Sequence, residues 1–227
     1  ATLIEQDRDL SGLPPLRARA TDVQAAITVL GRRTVMGQDH WALQFGGLDL
    51  RKADLAGADF RMAEFSAAQL SGANLRHAKL DDARLPDVDL QEADLMAADL
   101  FRADLRQANL RAADLRGSRL VRANLLRANL GEARLEGVRL EGATLQEANL
   151  WEAKLGGANL RGADLTASRL VQADLDGADL SGATLYGAIL VGARLRGTVL
   201  AGVRADRNTV WPSQFEWRAA AVIIEEP

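Results

Sequence analysis

From position 45 to position 200, every residue whose number divides by five is leucine or phenylalanine. The run comprises 32 consecutive pentapeptides, 29 centred on leucine and three on phenylalanine (Phe45, Phe60 and Phe65), with no insertion. Two places before the centre, 25 of the 32 residues are alanine, and Leu43, Leu48, Val88, Ser118, Val138, Ser168 and Thr198 take the rest. An unbroken register of this length constrains the fold more than any local propensity, because each unit can bury its apolar residues only against its neighbours.

Neither regular secondary structure accepts a period of five. On an α-helix, five residues turn through about 500°, so successive leucines would spiral over every face. On a flat strand, five steps of about 180° would place them on alternate sides. All of them point inward only if the chain turns a corner once per pentapeptide. Alanine and leucine then share the inner face of a short extended segment, the next two residues make the corner, and coils stack about 4.8 Å apart as neighbouring strands do. Period five does not set the number of corners per turn. Gly57, Gly117, Gly137, Gly157, Gly177 and Gly197 fill six of eight corners in one 20-residue register. Glycine relieves turns that need positive φ, so one corner in four reads as distinctive, which supports four sides and 20 residues per coil.

The sequence Ala53-Asp54-Leu55, and again Ala108-Asn109-Leu110, resembles the A(D/N)LXX unit of the pentapeptide-repeat family. The resemblance spans residues 43–202 and implies an all-β fold, a right-handed quadrilateral β-helix of about eight coils and a rod of roughly 40 Å. The flanks ATDVQAAITVLGRR and NTVWPSQFEWRAA resemble actinobacterial members. Longer relatives of that kind carry a helical or membrane-associated part upstream, so a fragment of such a protein is one expectation.

Solenoid ends expose strand edges and apolar cross-sections, so both ends need caps. Thr21-Asp22-Val23-Gln24 is a capping box, and Val23, Ile27 and Leu30 form a helical stripe that Gly31 stops. A short helix over 21–31 is expected on the first coil, facing Leu43, Leu48 and Trp41. Val210, Trp211, Phe215 and Trp217 supply a closing cluster. The expected organisation is an N-terminal segment over 1–42, the β-helix over 43–202 and a C-terminal cap over 203–227.

Catalysis finds little to work with. The chain has two histidines, His40 and His77, and no cysteine. No nucleophile elbow, phosphate loop or zinc spacing is present, and leucines fill the interior. The expectation is a non-enzymatic protein with no cofactor and no metal. No apolar run approaches the roughly 18–20 residues of a membrane span. The absence of disulfides agrees with a cytoplasmic location, and a balance of 28 basic to 31 acidic residues gives no pull towards nucleic acid.

Function is therefore expected on the outer surface, through protein–protein contact with an unidentified partner or in a homodimer. Two candidate sites stand out. Asp81, Asp82, Asp87, Asp89, Glu92, Asp94 and Asp99 crowd one stretch, and seven arginines from Arg102 to Arg127 follow. The best-known activity in the family is binding DNA gyrase or topoisomerase IV as an acidic DNA mimic, which makes Asp87, Asp89 and Glu92 candidate contacts. Residues 43–202, however, hold 22 acidic against 20 basic side chains, and the coil-interrupting loops common in gyrase-binding members are absent here. Ion pairing between coils is the alternative, with Asp82 meeting Arg102, Arg84 meeting Asp104, Asp99 meeting Arg119 and Arg116 meeting Glu136. The second candidate is apolar: Trp151, Val171 and Val191 share one outward position 20 residues apart, with Tyr186 and Ile189 nearby. Either a partner or the chain's own C-terminal segment would cover it. A structural domain of a longer membrane-linked protein remains a third reading.

Overall fold

The computed structural model describes residues 43–213, 215–216 and 222–224. The chain winds into a right-handed quadrilateral β-helix. Parallel bridges join residues 20 apart without a break, from Gln44 with Glu64 up to Thr184 with Arg204. Four pentapeptides therefore close one coil. The helix expected over 21–31, and Trp41 with it, lies outside the described residues; no helix occurs among those that are described.

One pentapeptide shows why this sequence adopts this path. The Leu110 N–H donates to the Asn129 carbonyl of the next coil at 2.7 Å, and the Ala112 N–H donates to the Gly131 carbonyl at 2.9 Å. Ala113 closes the corner by donating to the Leu110 carbonyl at 3.0 Å, and Asp114 donates back to Ala93 of the previous coil at 2.9 Å. That leaves one backbone donor, the N–H of Arg111 at the start of the corner. The Asn109 side chain takes it through Oδ1 at 3.3 Å. Asp or Asn before the leucine thus completes the backbone hydrogen bonding that a tightly wound coil must satisfy. Where Arg84 stands in that place, the corner opens with Pro86, which has no N–H to satisfy.

The second corner residue has positive φ throughout, from Gly47 at 66° to Gly202 at 68°, including eighteen residues that are not glycine. With the Leu-to-Ala hydrogen bond across it, each corner has the pattern of a type II turn. Four sides are correct, but the glycine argument for them is not. His77 and Ala97 occupy the supposedly distinctive corner at φ 56° and 54°, and Asp87 and Arg127 adopt the same conformation on another. A Cβ on Gly137 or Gly157 would meet nothing within 4 Å, so nothing in the structure explains the glycine preference of that register.

Inside the rod, Leu and Ala from all four sides form one continuous core in which most members are fully buried. Each leucine is worth about 1.5–3 kcal/mol of burial, against roughly 1–2 kcal/mol per residue of backbone ordering, so stacking supplies the surplus. Ser118 and Ser168, buried in alanine positions, donate to the Leu115 and Leu165 carbonyls at 2.6 and 2.7 Å. The three phenylalanines plug the first coils: Phe45 stacks on Phe65 at 4.7 Å, and Phe60 meets both rings edge-on at 5.4 and 5.2 Å. Leu48, expected to face a capping helix, is 45% exposed.

At the other end the ladder runs on with one extra corner residue. Val210 bridges Ile189, a spacing of 21. Thr209 takes the buried alanine position, and Trp211 follows where leucine would stand. Strand β1 (Arg204–Ala205) then pairs in parallel with β2 (Ile223–Ile224). Trp211 stacks on Phe215 at 5.4 Å, and both pack with Val222 on the end of the core. Trp217 lies outside the described residues.

Candidate protein-interaction face

With the interior filled, chemistry is left to the outward residues: the one before each leucine and the two of each corner. Residues 20 apart stack, so each side of the rod carries columns along its length. The side whose bridging column runs Asp49, Gln69, Asp89, Asn109, Asn129, Asn149, Arg169, Ile189, Val210 differs from the other three. We call it the second side, since it follows the side that begins at Gln44.

Its centre is an amide ladder. Asn149 Nδ2 donates to Asn129 Oδ1 at 2.9 Å, Asn129 to Asn109 at 3.3 Å, and Asn109 to Asp89 Oδ1 at 2.9 Å. The ladder of three asparagines, spaced 20 residues apart, thus ends on a carboxylate. Gly131 beside it fits closely: a Cβ there would stand 3.3 Å from Asn129 Oδ1 and 3.4 Å from Asn149 Nδ2, so the amides would have to shift by a few tenths of an ångström to admit one.

Charge elsewhere is largely cancelled locally, though not always as expected. Asp82 pairs with Arg102 at 3.0 Å and Asp99 with Arg119 at 2.5 Å, both as anticipated. Arg84 pairs instead with Glu64 at 3.2 Å, and Arg116 with Asp114 at 2.5 Å. Where Asp precedes the central residue and Arg follows it, both side chains emerge on one side two residues apart, and they fork together before reaching another coil. Asp49 with Arg51, Asp59 with Arg61 and Asp104 with Arg106 repeat the arrangement at 2.6 Å. The Arg51 guanidinium holds the Asp49 carboxyl down at about 2, and the carboxyls of Asp59, Asp104 and Asp114 are lowered by their own arginines. Asp81 goes the other way: burial and the neighbouring Asp99 raise it.

These pairs sort the acid-rich stretch into two groups. Asp81 and Asp99 share Arg119, Asp82 has Arg102, and Asp94 has Arg76 at 3.0 Å. Asp87, Asp89 and Glu92 form no ion pair among the described residues. The arginines around them are engaged elsewhere, Arg106 with Asp104, Arg111 with Glu132 and Arg51 with Asp49, each at 2.6 Å. All three acids lie on the third coil, with Asp89 on the second side and Asp87 and Glu92 on the corners that bound it.

The apolar column occupies the other end of the same side. Trp151 and Val191 are 36% and 49% exposed, and Val171 between them is half-buried. Ile189 stands beside Val191, and Val210 stacks on Ile189 and is 44% exposed. Val210, expected in the closing cluster, stands on this column instead, because the extra corner residue shifts it out of the five-residue register. Tyr186 lies on the bounding corner at that end, with the Arg204 guanidinium 5.5 Å from its ring centre. None of the described tail residues folds back over the column. β2 pairs above the first side, and Trp211 and Phe215 pack on the end of the core. His77 sits on a corner, His40 lies outside the described residues, and among the described residues no group of three His, Cys, Asp or Glu could hold a metal.

A family model described as pentapeptide repeats matches in eight copies over residues 68–107, 103–142, 143–182 and 178–206, more than half of the chain. The chain belongs to the pentapeptide-repeat family. Among solved structures it is similar to alr5209, a pentapeptide repeat protein from Nostoc PCC 7120, at 44% identity over 45% of this chain and 84% of that one, with a TM-score of 0.44. It is also similar to HetL from the cyanobacterium Nostoc sp. strain PCC 7120, a pentapeptide repeat protein involved in heterocyst differentiation regulation. That match is 33% identical, covers 81% of this chain and 85% of HetL, and has a TM-score of 0.33. Full-length QnrB1, a plasmid-mediated fluoroquinolone resistance protein, matches at 21% identity over 82% and 93% of the two chains, with a TM-score of 0.34. No curated protein matches the chain. The family match covers the repeats and not the flanks, so the actinobacterial likeness of the flanks gains no support from it.

Proposed function

We propose that this pentapeptide-repeat protein is a non-enzymatic scaffold that binds a protein partner through the second side of its rod. The observation that carries the reading is the apolar column of Trp151, Val171, Ile189, Val191 and Val210, on a surface where outward positions are otherwise mostly charged or polar and many of the charges are paired. Stacked apolar groups left in water on a rigid face mark a contact site. The rod supplies a rigid backbone, so binding costs little ordering of the face itself.

Trp151→Lys combined with Val171→Lys is expected to leave the melting temperature within about 3 °C, since both side chains point outward. The same double variant should lose the protein's associations, whether with itself in light scattering or with proteins retained from its own cell extract. Retention of one and the same set by parent and variant overturns the reading, as does unimpeded iodide quenching of Trp151 in the extract-bound parent.

A DNA mimic directed at gyrase or topoisomerase IV is the second reading, favoured by the unpaired Asp87, Asp89 and Glu92. It ranks lower because the remaining acids are interleaved with arginine. In a supercoiling assay with and without a quinolone, the parent protein is expected to leave gyrase unaffected. Inhibition or protection by the parent, abolished by Asp87→Lys, Asp89→Lys and Glu92→Lys together, reverses the order of the two readings.

A further inference from the structure

Resting on the docking reading above, we propose that the partner is one elongated element, apolar at one end and cationic at the other, laid along the second side parallel to the rod axis. The apolar column fixes one end of the contact. Charge complementarity fixes the other, because Asp87, Asp89 and Glu92, none of them in an ion pair, lie together on that side, and the amide ladder runs between the two ends without a break. From the third coil to the eighth there are five spacings of about 4.8 Å, so the two ends are ~24 Å apart. An α-helix rises about 1.5 Å per residue, so its basic and apolar groups would be separated by about 16 residues on one face.

A second copy of this chain fits poorly with its middle band against the acids. Of the arginines in that band, from Arg102 to Arg139, Arg122 alone lacks an ion pair among the described residues. A second rod in that placement would have to break existing pairs to neutralise Asp87, Asp89 and Glu92, whereas a segment with uncommitted Lys or Arg would not.

The test uses two synthetic helical peptides of equal composition and the full chain. The spaced peptide carries Leu and Trp at one end and three arginines about 16 residues away on the same face. The permuted peptide carries those arginines one turn from the apolar group. By fluorescence anisotropy, the parent is expected to bind the spaced peptide about tenfold more tightly than the permuted one, with the preference fading as salt rises. Asp87→Asn, Asp89→Asn and Glu92→Gln together should reduce the preference to less than about twofold and leave the weaker, salt-insensitive binding in place. The triple change removes no ion pair, and Asn at 89 keeps an acceptor for the Gln91 N–H and the Asn109 amide. Equal affinity of the parent for both peptides overturns the proposal, and so does a preference that survives in the triple variant. The Trp151→Lys, Val171→Lys variant separates the two levels of inference. If it still binds both peptides as the parent does, the apolar docking site itself fails. If it loses both while the triple variant keeps the preference, the docking site stands and the bipolar partner falls.

Discussion

Leu115→Asp, in the middle of the rod, is expected to divide the solenoid into two poorly coupled halves. Leu115 is fully buried on the fourth coil, and its N–H bonds to the Arg134 carbonyl at 2.8 Å. Removing the side chain alone would cost about 2–5 kcal/mol as a cavity, which Leu115→Ala measures. The carboxylate adds several kcal/mol more, because it enters an interior lined by leucine and alanine with no cation to meet it. A sum of that size rivals the whole stability of an ordinary domain, about 5–15 kcal/mol. In a stack stabilised by nearest neighbours, the loss is felt at the interfaces with the third and fifth coils, and the segments either side retain their own. Chemical denaturation should change from one transition to two, with the midpoint of the first far below that of the parent. A variant that melts within a few degrees of the parent in a single transition would show that the five-residue inward assignment is wrong.

The interior was legible in the sequence because it obeys one rule at every turn. Leucine and alanine two apart can both face inward only on an extended segment between corners, and the burial of Leu75, Ala93 and Leu155 follows from their numbers alone. The role of Asp or Asn before leucine was also foreseeable, since short polar side chains cap turns. That it answers the single unpaired N–H of the corner it precedes, and that Pro86 removes the need where Arg84 stands, required the backbone bonds. The glycine reading failed for a physical reason. Every corner takes positive φ, and the cost to a non-glycine residue, roughly 1–2 kcal/mol, is evidently met at eighteen of them, so glycine marks no particular corner.

The outer surface was harder to read, because its side chains choose among several neighbours. Arg84 and Arg116 each had a stacked acid 20 residues on, and each turned to another. Sequence distance to the next coil says nothing of which rotamer wins, while an Asp two residues away on the same side is always within reach. The coincidence of Asp87, Asp89 and Glu92 with the Trp151 column was available in principle, since Asp89 and Ile189 differ by five full coils. It passes unnoticed when acids and apolar residues are treated as separate signals along the chain.

Removing residues 206–227 is expected to destabilise the protein from its C-terminal end while leaving Trp151 as exposed as before. The tail answers both needs of the last coils. Asp206 Oδ1 accepts the Gly187 N–H at 2.9 Å, Thr209 Oγ1 donates to the Leu185 carbonyl at 2.8 Å, and the Ile223 N–H donates to the Val203 carbonyl at 2.7 Å. Trp211, Phe215 and Val222 cover an apolar cross-section that would otherwise present Leu190, Leu195 and Leu200 to water. Loss of one large buried aromatic typically costs about 3–5 kcal/mol, and truncation removes a stacked pair that is partly buried, together with the hydrogen bonds. The melting temperature should fall by about 10 °C or more. Hydrogen exchange should quicken first in the seventh and eighth coils, while the coils plugged by Phe45, Phe60 and Phe65 keep their protection. Newly exposed leucines should also make the shortened rod self-associate end to end. Iodide quenching of Trp151 distinguishes the two ways of covering the apolar column. The described tail lies on the end of the rod and above the first side, so quenching should not rise on truncation. A clear rise would mean that the tail covers the column in solution, and the second side would then be an intramolecular contact rather than a docking face.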